Sequence, residues 1–403
     1  MRVLALQKGS LRRVRPQCAW AHRGLAASAE QEQLEGLEEV KEAAKLCAEG
    51  HHSTAVGLLE RAVNIVAPMG TGSPLHLAAL KRLGVTRYQA GQLAAASEAM
   101  ADLVATTSDP TQLSPALVLQ SRARLFSGDV RGAESAAAAA VAAVEEGGGA
   151  TPDTGLLGRA LRQLGSVQFV EKTDESDGDT EGNLIRAARL GGCPSDQARG
   201  LSLLAAFHLS SGDDEGVKEA VESWQEALRL LGQGEGESPP MASTRAELLC
   251  SMSDAEMRVR AREGAENASK WLGEALKLNE KGLPPDALAL GWNLTLLGQA
   301  SLLADQAVTS EGLLRAALDK LEASSRGASL HPSPCRPFAL AATLEIYSGL
   351  LSRWEGREPE GEATKERAEG LAKELPFRLP KGTSHQMLML EDDPWAVSSD
   401  PET

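Results

Sequence analysis

Apolar positions recur at helical spacing from about residue 34 onward, between short breaks rich in Gly, Asp, Ser and Pro. In residues 217–232, VKEAVESWQEALRLLG, the residues Val217, Val221, Trp224, Leu228 and Leu231 fall at i, i+4, i+7, i+11 and i+14. That period puts them on one stripe of an α-helix and predicts a single buried face. Ala220 and Ala227 flank Trp224. The spacing of small, large and small residues recurs as Ala55, Leu59, Ala62 and as Ala96, Met100, Leu103. It recurs again as Ala133, Ala137, Ala140 and as Ala268, Leu272, Ala275. A second helical stretch precedes each one, usually with a turn glycine between: Gly50, Gly91, Gly128 and Gly212. Leu-Gly pairs stand in the preceding stretches at Leu83-Gly84, Leu164-Gly165 and Leu297-Gly298.

One segment could suggest a different architecture. Residues 287–304, ALALGWNLTLLGQASLLA, carry no charge. A membrane span needs about 20 predominantly apolar residues, and this stretch is shorter and interrupted by Gly291, Asn293, Thr295, Gly298, Gln299 and Ser301. It reads as a well-buried helix of a repeat, with Leu297 and Gly298 against its partner helix and Trp292, Thr295 and Gln299 on the other side.

These residues resemble the tetratricopeptide repeat, in which a first helix carries Leu-Gly, a turn carries Gly, and a second helix carries Ala, a large residue and Ala. The period of 37 to 48 residues is similar to the longer-period form found in kinesin light chains. The resemblance implies an all-α fold, a right-handed superhelical solenoid of about seven or eight antiparallel helix pairs over residues 33–376. The fourth, sixth and eighth units match least well. An armadillo-like or 14-3-3-like helical array is the competing architecture. Composition agrees with an all-α class: Ala, Leu and Glu abound, while aromatic residues make up only 3%.

Charge divides the chain. Residues 1–29 hold Arg2, Lys8, Arg12, Arg13, Arg15 and Arg23 and no acid. That composition, with Arg23-Gly24-Leu25-Ala26-Ala27-Ser28 before residue 33, is the expected form of a mitochondrial presequence spanning residues 1–32. A plastid address and a cytosolic basic tail are the alternatives. Without those 32 residues the chain carries 35 basic and 54 acidic residues, a net of −19. Such a body repels nucleic acid at long range. Residues 377–403 are expected to form a flexible acidic tail, with Trp395 after MLML, that either docks a partner or folds back onto the chain's own groove. The acidic segment 171–183 is expected as a loop insertion. Its Asp177, Asp179, Glu181, Gly182 and Leu184 fit positions of a calcium loop, but Ala188 stands where the closing carboxylate is required.

Chemistry signatures are absent from the sequence: no phosphate loop, no zinc-binding H-E-x-x-H and no nucleophile elbow. The five cysteines are far apart and read as reduced thiols. A non-catalytic chain without cofactor or metal is expected. The tetratricopeptide pattern instead implies a concave groove lined by the first helices. Its inward positions fall on Lys81, Val85 and Tyr88, then Val118, Arg122 and Phe126, then Arg159, Arg162 and Phe169, then Arg199, and later Trp292. Those cations either suit an acidic protein or peptide or neutralise nearby acids. Val85 and Arg122 stand where a chaperone-tail clamp would carry Asn.

The layout of presequence and long-period repeats is similar to the mitochondrial tetratricopeptide repeat protein 19 family. That likeness implies a scaffold or adaptor in the matrix or at the inner membrane, serving assembly or maintenance of a respiratory-chain complex. Membrane association would be peripheral, through a partner. A cytosolic adaptor resembling the kinesin light chains and an organellar RNA-binding helical repeat protein are the alternative readings.

Overall fold

The computed structural model describes residues 33–49, 51–147, 153–171, 177–232, 239–282, 288–322 and 334–377. The basic leader 1–32 with Cys18, the turn residue Gly50, and the tail from residue 378, including Trp395, lie outside them. Among the described residues, sixteen α-helices fall into eight consecutive pairs. They are α1 (Glu38–Ala48) with α2 (His52–Val66), α3 (Pro74–Gln89) with α4 (Leu93–Thr106), and α5 (Pro110–Phe126) with α6 (Val130–Gly147). Next come α7 (Thr154–Glu171) with α8 (Asp177–Leu190), α9 (Pro194–Leu209) with α10 (Asp214–Leu231), and α11 (Pro239–Arg260) with α12 (Arg262–Gly282). The series ends with α13 (Leu288–Leu303) and α14 (Ala307–Glu322), then α15 (Arg336–Leu351) and α16 (Glu358–Glu374). The protein is an all-α helical repeat solenoid.

Local chemistry sets the boundaries. Several first helices open with proline at N1, where its missing N–H costs nothing, as at Pro74, Pro110 and Pro194. Ser73 and Asp109 cap two of them, accepting from the His76 and Thr111 backbone N–H groups. The turn between first and second helix needs a left-handed residue. Gly91, Gly128, Gly212 and Gly356 supply it, and in two pairs Ala261 (φ 48°) and Asp305 (φ 59°) adopt it instead. The segment expected as an acidic loop over 171–183 is shorter in the structure: Glu171 closes α7 and Asp177 opens α8. Acidic residues suit the first turn of a helix, where they meet the positive end of its dipole.

The two kinds of helix are buried differently. Second helices bury one stripe, and the small–large–small triplets form it: Ala55, Leu59 and Ala62, or Ala220, Trp224 and Ala227. Two further triplets use different small residues. Thr180, Leu184 and Ala187 serve α8, and Ser310, Leu314 and Ala317 serve α14, while α16 buries only the small residues Gly361 and Ala368. In α10 the buried stripe centres on the alanines, so Val221, expected inside, is exposed. The first helices in the middle of the series are buried on nearly every side. Leu290 to Leu296 of α13 are all buried, as are Ser114 to Ala123 of α5.

The reason is that first helices pack twice. Each meets its own partner, and α3 through α15 also meet one another in order: α3 on α5, then α7, α9, α11, α13 and α15. The Leu-Gly pairs make the within-pair contact close. A Cβ on Gly84 would meet Met100, one on Gly165 would meet Leu184, and one on Gly298 would meet Leu314. The uncharged stretch is therefore the interior helix α13. Two of its polar groups are paired: the Thr295 hydroxyl donates to the Gly291 carbonyl, and the Gly298 carbonyl accepts from the Ser310 hydroxyl of α14. Among the described residues no helix is long and apolar enough to cross a membrane.

Candidate partner-binding groove

The layer of first helices forms the candidate binding face, and buried polar pairs join it at each step from α5 to α15. Between α5 and α7, Arg122 Nε donates to Gln163 Oε1 at 3.2 Å, and the Gln163 amide donates to the Ser121 hydroxyl at 3.1 Å. Between α7 and α9, Asp196 receives Arg159 at 3.0 Å and Arg162 at 3.5 Å. Between α9 and α11, Arg199 pairs with Glu247 at 3.1 Å. The Asn293 amide of α13 sits 3.4 Å from Cys250 Sγ of α11. The hydroxyls of Thr295 and Thr343 share a 2.7 Å hydrogen bond between α13 and α15. A buried polar group without a partner costs free energy, so these pairs favour one register for each neighbouring helix over the alternatives.

Asp196 is the electrostatic centre of this ladder. Burial pushes its carboxyl up, but the guanidinium groups of Arg162 and Arg159, with Arg199 beyond, outweigh that and hold it below the usual carboxylate range. Farther along α11, Asp254 shows the opposite balance: burial pushes its carboxyl up despite the Arg258 guanidinium at 3.0 Å.

The second feature is aromatic. The chain has five phenylalanines, and all five lie in two clusters against this layer. At one end Tyr88 and Phe126, the closing aromatics of α3 and α5, stand 6.4 Å apart between ring centroids. Phe338, at the start of α15, lies 6.1 Å from Phe126, so the eighth pair comes round to meet the third. Phe377 then leans on both, 5.9 Å from Phe126 and 5.0 Å from Phe338. The second cluster joins Phe169 of α7 to Phe207 of α9 at 5.9 Å, beside His208, whose Nδ1 lies 3.0 Å from Glu219.

The structure thus places the groove positions expected from sequence in distinct settings. Tyr88 and Phe126 meet in the first cluster, and Phe169 lies in the second. Arg159, Arg162 and Arg199 lie together around Asp196, with Arg122 one helix away on Gln163. Arg122, Arg162 and Trp292 are buried, Arg159 and Arg199 partly so, and Lys81 is half-buried on α3. Trp292 belongs to the same hydrophobic core as Tyr88 and Phe126. The acids of the ladder, Asp196 and Glu247, and the aromatics Phe207, Phe338 and Phe377 have no counterpart among the sequence-derived positions. Their only sequence signal is that Phe is rare. Among the described residues, no group of three or more His, Cys, Asp or Glu side chains is placed to hold a metal ion.

No family model and no curated protein sequence matches the chain. Solved structures with similar folds include the quorum sensor NprR from B. thuringiensis in its apo form, at 11% identity and a TM-score of 0.47, covering 90% of this chain and 99% of that one. A tetratricopeptide repeat protein from Parabacteroides merdae is similar over 78% of this chain and 99% of its own, at 13% identity and a TM-score of 0.44. A signal transduction ATPase with a tetratricopeptide repeat sensor from Pyrococcus horikoshii shares 12% identity over 87% of this chain and 53% of its own, with a TM-score of 0.45.

Proposed function

We propose that this chain is a non-catalytic scaffold that binds a protein partner in mitochondria and serves the assembly or maintenance of a larger complex, such as one of the respiratory chain. The observation that carries the binding role is the unbroken layer of first helices from α3 to α15, with aromatic side chains clustered at the ends of those helices. Buried aromatics in a preorganised groove supply the anchor pockets that dominate protein recognition. The organellar part rests on the acid-free basic leader.

The ladder shapes what such a partner must be. Arg159, Arg162 and Arg199 hold carboxylates of neighbouring helices, so an acidic peptide would compete with Asp196 and Glu247 for them. The aromatic end demands no exchange of buried charge. The binding energy is therefore assigned to Tyr88 and Phe126, with Lys81 and the arginines setting orientation and encounter rate.

Two measurements test the reading. A tagged full-length chain should enter mitochondria and lose about 30 residues there. Affinity purification of the mature chain with mass spectrometry should recover a stable protein partner. An uncleaved cytosolic product refutes the location, and recovery of RNA in place of protein refutes the scaffold.

A further inference from the structure

The residues that follow the last helix pack back against the first-helix layer. After α16 the backbone turns extended at Leu375 (φ −66°, ψ 138°). Leu375 and Phe377 then pack on the core that holds Tyr88, Phe126 and Phe338. Phe377 touches both rings of the Phe126–Phe338 pair. Pro376 lies over the turn after α5, its carbonyl oxygen 3.5 Å from where a Cβ on Gly128 would stand. Phe377 and Leu375 stay only half-buried and Pro376 is exposed, so this segment rests on the surface of the pocket and is not part of the packed interior. Meanwhile Phe126 and Phe338 are each only 4% exposed, and Phe377 contributes to that burial.

A segment that leaves a helix and lays the alternate apolar residues Leu375 and Phe377 against buried aromatic rings presents its side chains as a bound peptide does. We propose that Leu375-Pro376-Phe377 is a ligand in cis: it occupies a docking pocket formed by Tyr88, Phe126 and Phe338, which accepts a partner peptide of the same chemistry, an apolar residue and a proline followed by an aromatic. This rests on the scaffold reading and names the site and the recognised motif. The energetics are those of self-competition. A tethered occupant multiplies the affinity for any outside peptide by the fraction of time the pocket stands open, so the apparent Kd rises by the inverse of that fraction. Its half-burial leaves it displaceable, whereas the rings beneath belong to the core.

The test uses the full chain and a fluorescein-labelled synthetic peptide of residues 371–380, LAKELPFRLP. Phe377→Ala in the protein should raise its affinity for the peptide about tenfold or more over the unaltered chain. A peptide with alanine at the phenylalanine position should bind neither. Equal affinity of the two proteins, or no binding to a folded Phe377→Ala chain, overturns the proposal. Should Phe377→Ala fail to fold, Phe377→Leu, which keeps apolar volume but loses the ring contacts, should raise the affinity by a smaller factor, and no rise at all overturns the proposal. A dimer of the unaltered chain that dissociates with Phe377→Ala would show the segment acting between copies, which also overturns the cis arrangement. Recovery of a stable partner by the unaltered chain, alongside failure of the peptide, would leave the scaffold standing and remove this pocket from it.

Discussion

Phe126, the last residue of α5, and Phe338, near the start of α15, stand edge to face with ring centroids 6.1 Å apart, although they come from the third and eighth helix pairs. This contact, backed by Tyr88 and Phe377, is a long-range link between early and late pairs of a fold otherwise built on neighbour contacts. In an ordinary solenoid each repeat touches only its neighbours, and stability is nearly a sum of local terms. A link between distant pairs couples them.

Phe338→Ala should therefore cost about 3–5 kcal/mol, the usual range for emptying a buried aromatic site. It should also loosen the superhelix. Chemical denaturation measures the first effect, and small-angle scattering the second, as a larger radius of gyration with helix content retained. A variant of unchanged dimensions would show that the link does not hold the two pairs together.

Asp196 predicts both a cost and a pH dependence. Asp196→Asn leaves the Arg159 and Arg162 guanidiniums beside a neutral group in a nearly closed site, and should destabilise by about 3–5 kcal/mol. Because the folded carboxyl titrates below its unfolded value, its stabilising contribution is fully present above about pH 4 and is lost as the pH falls through the depressed folded value. Melting temperatures between pH 3 and 7 should fall at the acid end in the unaltered chain and flatten in the variant.

Asp254 should behave in the opposite sense. Its folded carboxyl is raised by burial, so the folded state gains as that group binds a proton and loses as the pH rises. Asp254→Asn removes the buried charge and should melt higher than the unaltered chain at pH 7 to 8, with the gap narrowing towards acid. A lower melting temperature at neutral pH would mean that the Arg258 pair outweighs desolvation.

Two glycines of the same motif should differ. A Cβ at Gly84 meets the terminal methyl of Met100, which can swing away, so Gly84→Ala should be close to neutral. A Cβ at Gly298 would lie 2.7 Å from Cγ of Leu314, a branch point held in the core. Gly298→Ala should cost about 1–3 kcal/mol despite alanine's better helix propensity. Urea midpoints of the two variants make the comparison.

Ala261 holds the left-handed turn position that glycine fills in four other pairs. Ala261→Gly should stabilise by about 1 kcal/mol, the strain of a left-handed alanine less glycine's entropy cost. An unchanged midpoint would mean that the turn relaxes without strain.

Much of the repeat was legible because its chemistry is local. The Ala55, Ala133, Ala220 and Ala268 triplets and the Leu-Gly pairs mark close helix approaches, which only small residues allow. The turn glycines Gly91, Gly128 and Gly212 mark a backbone conformation that costs other residues strain. The fourth and eighth units matched poorly for a physical reason: Thr180 and Gly361 are small enough for the same position but do not spell alanine. Val221 was misplaced because apolarity alone does not say which of two adjacent stripes faces inward.

The candidate groove was legible only in part. The tetratricopeptide resemblance put Tyr88 and Phe126 among the inward positions of successive first helices, and the structure sets their rings 6.4 Å apart. The resemblance could not show that Arg159, Arg162 and Arg199 would find Asp196 and Glu247, because those pairs join residues 37 and 48 positions apart, across helix junctions. Nor could it place Phe338 and Phe377 on Phe126.

By itself, then, the sequence determined the helices, their pairing and the class of the fold, since periodicity, small residues and turn glycines act within a single repeat. Only the tertiary structure decided which first-helix positions are spent on the buried ladder and where the eighth pair meets the third. It also placed the chain's own Leu375-Pro376-Phe377 on that meeting point. These depend on the small rotation between successive pairs, which accumulates over the solenoid and is written in no single repeat.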